Sequence, residues 1–218
     1  MVSKRLMGVW AFLDFSLMAA GIVAIVFSMV WREWNLLRQL VISPMDLTAG
    51  LALGIMLLVT FAFSIGAVIQ PTRVTSGLVA LNVMLIMDSV AVITIGSIVW
   101  FYTLRERANF AVAWAQQSPT IIVEMQNKLS CCGYFNSTNM VVNSGFCVDP
   151  TFAANQTACV DPVTAFADYT LNNVFTSIYG FQAIILCFFL ATICVIKKRH
   201  EDERFRKIDA KRGGIPFV

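Results

Sequence analysis

The chain has 218 residues, a net charge of +3, and 13% charged against 58% hydrophobic side chains. A water-soluble domain carries roughly 25% charged residues, so the composition excludes an ordinary soluble globule. Nothing in it points to nucleic acid.

The charges leave four long gaps. A bilayer core needs about 20 apolar residues in a helix, and residues 8–31, 47–69, 77–102 and 174–196 meet that need. Residues 1–7 form a short lead with Lys4 and Arg5. The first span, 8–31, contains Asp14 and no A-x-A site before Trp31, so it reads as a retained anchor and not as a cleaved signal peptide. Residues 32–46 make a small loop without cysteine. The second span, 47–69, is followed by a connection over 70–76 that carries Arg73. The third, 77–102, is interrupted by Asp88, and a large loop over 103–173 holds four of the six cysteines. The fourth span, 174–196, leads into a tail over 197–218.

Basic residues set the orientation. The two ends and the 70–76 connection hold Lys4, Arg5, Arg73 and eight residues from Lys197 to Arg212, whereas the other two loops share Arg32, Arg38, Arg105, Arg107 and Lys128. The excess predicts cytoplasmic termini in a multi-pass plasma or endosomal membrane protein. The acceptor sequences at Asn136 and Asn155 then fall outside, where glycosylation occurs. Trp31, Trp34, Trp100 and Tyr102 fall at the predicted outer boundaries, the place of aromatic belts.

Within the large loop, Leu104 to Gln117 contains neither Pro nor Gly, which predicts that the third helix continues beyond the membrane. Phe110 and Trp114, one turn apart, then need a covering partner. Ser118-Pro119 reads as an N-cap followed by the first residue of a helix over 119–131. Asp161-Pro162 repeats the pattern ahead of a face formed by Val163, Phe166, Ala167, Leu171 and Val174. The two extensions are expected to pair as an antiparallel stalk under the short helix and an irregular 134–160 segment. That segment has few large apolar residues, so it needs covalent staples, and Cys131, Cys132, Cys147 and Cys159 supply them. A bridge between the adjacent Cys131 and Cys132 would strain the backbone, which leaves two pairings open. Gly133 suits a left-handed position closing the short helix. Without a nearby His, the cysteines read as structural and not as a zinc site.

Asp14, Asp88 and Gln182 fall inside predicted spans, between roughly 10 and 20 Å from the cytoplasmic edge at 1.5 Å per residue. They are expected to form one polar layer between spans one, three and four, either as interhelical hydrogen bonds or as the foot of a lipid-binding cavity. Gly50-x-x-x-Gly54, Ala62-x-x-x-Gly66 and Ala20-x-x-x-Ala24 predict close packing of spans one and two. Residues 197–212 carry a net charge of +4, which suits anionic inner-leaflet lipid. Cys194, three residues before Lys197, is placed for palmitoylation. The apolar terminus Ile215-Pro-Phe-Val218 suits a carboxylate-binding groove.

Four spans, a small first outer loop, a large second one, and Cys131-Cys132-Gly133 about thirty residues beyond the third span resemble the tetraspanin family along essentially the whole chain. The compact loop and the Cys-Cys-Gly-Tyr run are similar to fungal tetraspanins linked to infection-structure penetration. The central cysteine departs from the family's Pro-x-Ser-Cys, reading Asn143-Ser-Gly-Phe-Cys147. The resemblance implies an all-α membrane protein with a mainly helical, disulfide-stapled outer loop bridged Cys131–Cys159 and Cys132–Cys147. It also implies a non-enzymatic organiser that clusters other membrane proteins or further copies of itself, with a sterol or other lipid held between the spans as its only ligand. A sterol hydroxyl would meet Asp14 or Gln182. Tyr134, Phe135, Val141, Val142 and Phe146 are the candidate partner contacts, unless they cover the disulfides. The alternative function is a small transporter or channel using Asp14 and Asp88. No His–carboxylate pair or phosphate loop marks an enzyme.

Overall fold

The computed structural model describes residues 4–33, 36–70 and 75–212. Trp34, Arg73, residues 215–218 and the side chain of Arg38 lie outside the described residues. Those described form eight α-helices and no strand: α1 (Lys4–Val30), α2 (Leu36–Val41), α3 (Pro44–Ile69), α4 (Ser76–Thr103), α5 (Glu106–Ala115), α6 (Pro119–Leu129), α7 (Pro150–Ala154) and α8 (Val160–Lys211). Helices α1, α3, α4 and α8 are long and apolar enough to cross a membrane. The chain forms two compact units, one of residues 1–27, 50–94 and 178–218 and one of residues 28–49 and 95–177.

In the first unit, side-chain contacts link α1, α3, α4 and α8 in a closed ring. Asp14 on α1 accepts a hydrogen bond from Ser64 on α3. Thr60 on α3 donates to Asp88 on α4 at 2.7 Å, and Gln182 on α8 donates to Ser89 on α4 at 2.7 Å. Trp10 on α1 closes the ring, its Nε1 donating to Thr192 on α8 at 3.2 Å and its ring lying 5.2 Å from that of Phe188. Leu17, Leu57, Leu78, Leu81, Leu85, Ile185 and Phe188 fill the centre. Phe12, Phe15, Val23, Ile55, Val83, Met87 and Leu190 point outward. Helices apolar inside and out suit hydrocarbon surroundings.

The α1–α3 contact depends on glycine. A Cβ on Gly54 would lie 2.6 Å from Ile25 Cγ1 and 2.9 Å from the Gly21 carbonyl oxygen. Ala20 and Ala24 are buried with this contact. The Ala62-x-x-x-Gly66 motif corrects its expected role: a Cβ on Gly66 would have nothing within 4 Å. Ala62 is exposed as well, so neither small residue marks a close approach among the described residues.

The second unit is built on Phe110, Trp114, Met125, Tyr134, Val163, Ala167 and Leu171, with the bridge Cys131–Cys159 buried among them. The small loop contributes more than a connection. Its α2 packs on α5 and α6, burying Leu36, Leu37, Leu40 and Val41. Ser43-Pro44-Met45-Asp46 then starts α3 as a capping box with Pro at N1. The Met45 N–H donates to Ser43 Oγ and the Ser43 N–H to Asp46 Oδ2, both at 3.2 Å.

Four local expectations are corrected. The third long helix does not run on through 104–117. It stops at Thr103, and α5 starts afresh at Glu106. At the break Trp100 O and Tyr102 O accept the backbone N–H groups of Leu104 and Arg105, and polar side chains add to this: Thr103 Oγ1 donates to Trp100 O at 2.6 Å, and Asn109 Nδ2 to Tyr102 O at 3.0 Å. Gly133 is left-handed at φ +65°, but Ser130, at φ +51°, is the residue that closes α6. The 134–160 segment is not wholly irregular. Asp149-Pro150 nucleates α7, with Asp149 accepting from the Phe152 N–H at 2.7 Å. That bond and the Thr151 hydroxyl hold the Asp149 carboxyl below its ordinary range. Finally, α8 starts at Val160, so Asp161 sits in its first turn, not ahead of it.

Candidate functional site

Two places gather the residues that the sequence marks out, one in each unit. In the second unit, disulfides join Cys131 to Cys159 and Cys132 to Cys147. The backbone of the same run is tied down as well. Cys132 N–H donates to Thr157 O at 3.0 Å, Cys159 N–H to Gly133 O at 3.2 Å, and Val160 N–H to Tyr134 O at 3.1 Å. Gln126, fully buried, spans the interior. With its amide turned to satisfy both neighbours, it donates to Val142 O at 2.8 Å and accepts from Gly133 N–H at 3.1 Å. Gly133 has no space for a side chain, because a Cβ would lie 2.2 Å from Asn136 O and 2.6 Å from Asn139 O.

This frame sorts the five candidate contact residues. Tyr134 is corrected: it is fully buried, with its hydroxyl donating to Arg107 O at 2.9 Å and its ring 5.6 Å from that of Trp114. Burial, with Glu106 adding to it, pushes its phenol up to about 12. Val142 packs against the main core, and Val141 and Phe146 cover the Cys132–Cys147 bridge. Phe135 alone of the five is openly exposed, at 48%. Three apolar residues that the sequence did not single out join it at the surface: Met140 (45%), Val148 (64%) and Phe152 (43%). Met140 holds φ +53°, a left-handed conformation that costs a non-glycine residue about 1–2 kcal/mol. Asn136 and Asn155 are both exposed, and Asn155 Nδ2 donates to Thr151 O at 3.3 Å.

Below the disulfides, Glu106 on α5 lies beside Asp168 on α8. Burial first, and the negative Asp168 second, hold its carboxyl above the ordinary range. An exposed ion pair joins Arg107 to Asp161 at 3.5 Å and, being open to solvent, contributes little. An apolar hollow in the same unit is lined by Val41, Ile42, Ile98, Val99, Leu171 and Val174, with Asp46 and Tyr102 as its polar members.

In the first unit, Asp14, Asp88 and Gln182 are buried and engaged in hydrogen bonds between helices, one of the two arrangements expected for them. Each is paired with a hydroxyl: Ser64, Thr60 and Ser89 respectively. The second long helix therefore supplies two of the three partners, although the expected layer left it out. A sequence signal did exist. Thr60 and Ser64 stand one turn apart in an uncharged run, and in an apolar helix such a pair needs polar company. Gln182 Oε1 remains buried without a hydrogen-bond donor, as does Asn82 Oδ1. Cys187 and Cys194 are both reduced and exposed on α8. Among the described residues no group of His, Cys, Asp and Glu is arranged to hold a metal ion.

No protein-family model, curated protein or solved structure matches this chain.

Proposed function

We propose that the chain is a tetraspanin-like membrane organiser that binds partner membrane proteins through the stapled segment over 134–160. The observation that carries this reading is the contrast within that segment. Phe135, Met140, Val148 and Phe152 are exposed on a frame fixed by two disulfides and a fully buried Gln126. Apolar side chains held out by a rigid support lose little entropy on binding, and exposed apolar residues grouped on one segment mark interaction surfaces. The four long apolar helices support placement in a membrane. The sequence resemblance supplies the class of partner, and the excess of basic residues at the ends supplies the orientation, with the segment outside and both termini cytoplasmic.

A lipid belongs to the same reading. The hydroxyl of a sterol would find its acceptor at Gln182 Oε1, which lacks a donor, whereas Asp14 already accepts from Ser64. The acids needed by a transporter are both engaged by hydroxyls on α3, and no observation favours that alternative.

The test uses the full chain, purified in mild detergent from its native membrane, beside a Phe135→Ser/Met140→Ser/Val148→Ser/Phe152→Ser variant. Peptide mapping first verifies that both disulfides are intact. Membrane proteins recovered with the wild type and lost with the variant support the organiser. Identical partner sets would overturn the assignment of the surface, and a wild type that emerges alone would overturn the organiser. In the same preparation a photoreactive sterol should label the wild type and lose most of its labelling in Gln182→Leu.

A further inference from the structure

In the first unit, Arg199 is 6% exposed, and the charge it carries has no counter-charge among the described residues. Its Nη2 donates to the Val68 carbonyl near the end of α3 at 3.3 Å, while Nε and Nη1 have no acceptor. A carbonyl at a helix C-terminus is a fair partner for a cation, but it leaves most of the five donors of a guanidinium unused. Such a group is costly to bury unless an anion completes it.

Among the described residues no anion pairs with it. The acids one turn farther along α8 are committed to other cations: Glu201 and Asp202 to Lys198, at 3.2 and 3.7 Å, and Glu203 to Lys207 at 3.0 Å. From the neighbouring elements, α3 carries no charged residue after Asp46, and α4 none before Asp88. The start of α1 adds Lys4 and Arg5 and no acid before Asp14. The hydrogen bonds Trp10–Thr192, Arg199–Val68 and Gln70–Gly77 place these termini at one end of the unit. That end is therefore positive, with an unsatisfied guanidinium within it.

We propose that Arg199 is a binding site for a phosphate group, supplied by the headgroup of an anionic lipid in the cytoplasmic leaflet. The placement rests on the four long helices crossing a bilayer, and not on the organiser reading. Arg199 stands just past the apolar stretch of α8, at the depth where lipid phosphates lie. Guanidinium and phosphate match in geometry as well as charge. The flexible side chain turns from the Val68 carbonyl toward the headgroup plane while its apolar stem stays against the helices. Lys4, Arg5 and Lys197 add attraction without a fixed contact.

The test places the full chain in phosphatidylcholine bilayers with or without phosphatidic acid, and reads bound lipid by native mass spectrometry and stability by thermal unfolding. Co-flotation with neutral vesicles checks separately that the protein inserts. The wild type should retain phosphatidic acid and unfold at a higher temperature with it. Arg199→Leu should bind about tenfold less while unfolding in neutral bilayers no earlier than the wild type, since the burial cost is removed. Lys197→Gln, which removes one of these unfixed charges, should lose less binding than Arg199→Leu and keep the thermal shift. Arg199→Lys, which keeps the charge and loses the fork, should fall between and serves if the leucine variant does not fold. Undiminished binding by both Arg199 variants overturns the proposal. A full thermal shift from inorganic phosphate in neutral bilayers overturns the lipid as its source.

Discussion

Gly133 shows how little freedom a single position has in the stapled segment. Its φ of +65° already disfavours any other residue, and two carbonyl oxygens occupy the place of a Cβ. Gly133→Ala therefore combines a backbone penalty of about 1–2 kcal/mol with a backbone clash that must move the Asn136 or Asn139 carbonyl. We expect a loss of about 2–4 kcal/mol and a fall in correctly bridged protein, read by thermal unfolding and unreduced peptide mapping. The importance of this glycine was visible in the sequence, but the turn that uses it was not. Ser130 closes α6 in a left-handed conformation that serine seldom takes, so residue type pointed three positions too far. Tyr134 misled for a related reason. An aromatic beside a surface motif reads as exposed, and only the three-dimensional approach of Trp114 and the Arg107 carbonyl shows it to be core.

At the scale of elements, the long helices were legible because length and absence of charge leave a soluble chain no means of burying them. Breaks and packing faces were harder to read. The interruption at residues 104–105 contains neither Pro nor Gly. Across it Asn109 reaches back to the Tyr102 carbonyl, a contact that spacing in the sequence does not announce. Likewise α7 is too short for periodicity to reveal, and Asp149-Pro150 was its one signal. Small-residue motifs divide the same way, since spacing cannot tell a used face from an idle one. Gly54→Ala should destabilise the α1–α3 contact by about 1–3 kcal/mol through overpacking, whereas Gly66→Ala should be neutral or slightly stabilising, as alanine is the better helix former. Unfolding of both variants in one detergent checks this. Equal effects would mean that Gly54 is not at a close approach.

For the whole molecule, the division into two compact units predicts two kinds of stability. The unit containing residues 95–177 holds both disulfides, and the unit of α1, α3, α4 and the later part of α8 holds none. Each bridge contributes about 2–4 kcal/mol, the longer loop about 0.5 kcal/mol more than the shorter, with separations of 28 and 15 residues. A reducing agent should lower the thermal transition of the bridged unit and leave that of the apolar helices in place. A near-ultraviolet circular dichroism melt, rich in Tyr134 and Trp114, should move while a far-ultraviolet melt keeps a late helical phase. Coincident loss of both signals would show a single cooperative structure instead. Two pairings of the cysteines were open from the residues alone, because the choice depends on Thr157 and Val160 meeting the Cys132–Tyr134 backbone across the fold.

The staples also separate framework from cargo. Between Cys147 and Cys159, and again between Cys132 and Cys147, the chain leaves a covalently fixed point and returns to another. Lengthening such a tethered stretch costs little, since doubling a flexible loop adds only about 0.6 kcal/mol. Residues around Phe135, Val148 and Phe152 are thus free to be replaced, extended or decorated while Cys131, Cys132 and Gly133 stay as they are. A lineage could vary the exposed surface of the segment by small insertions, without inventing a new scaffold, and an engineer could graft a foreign peptide at the same two places.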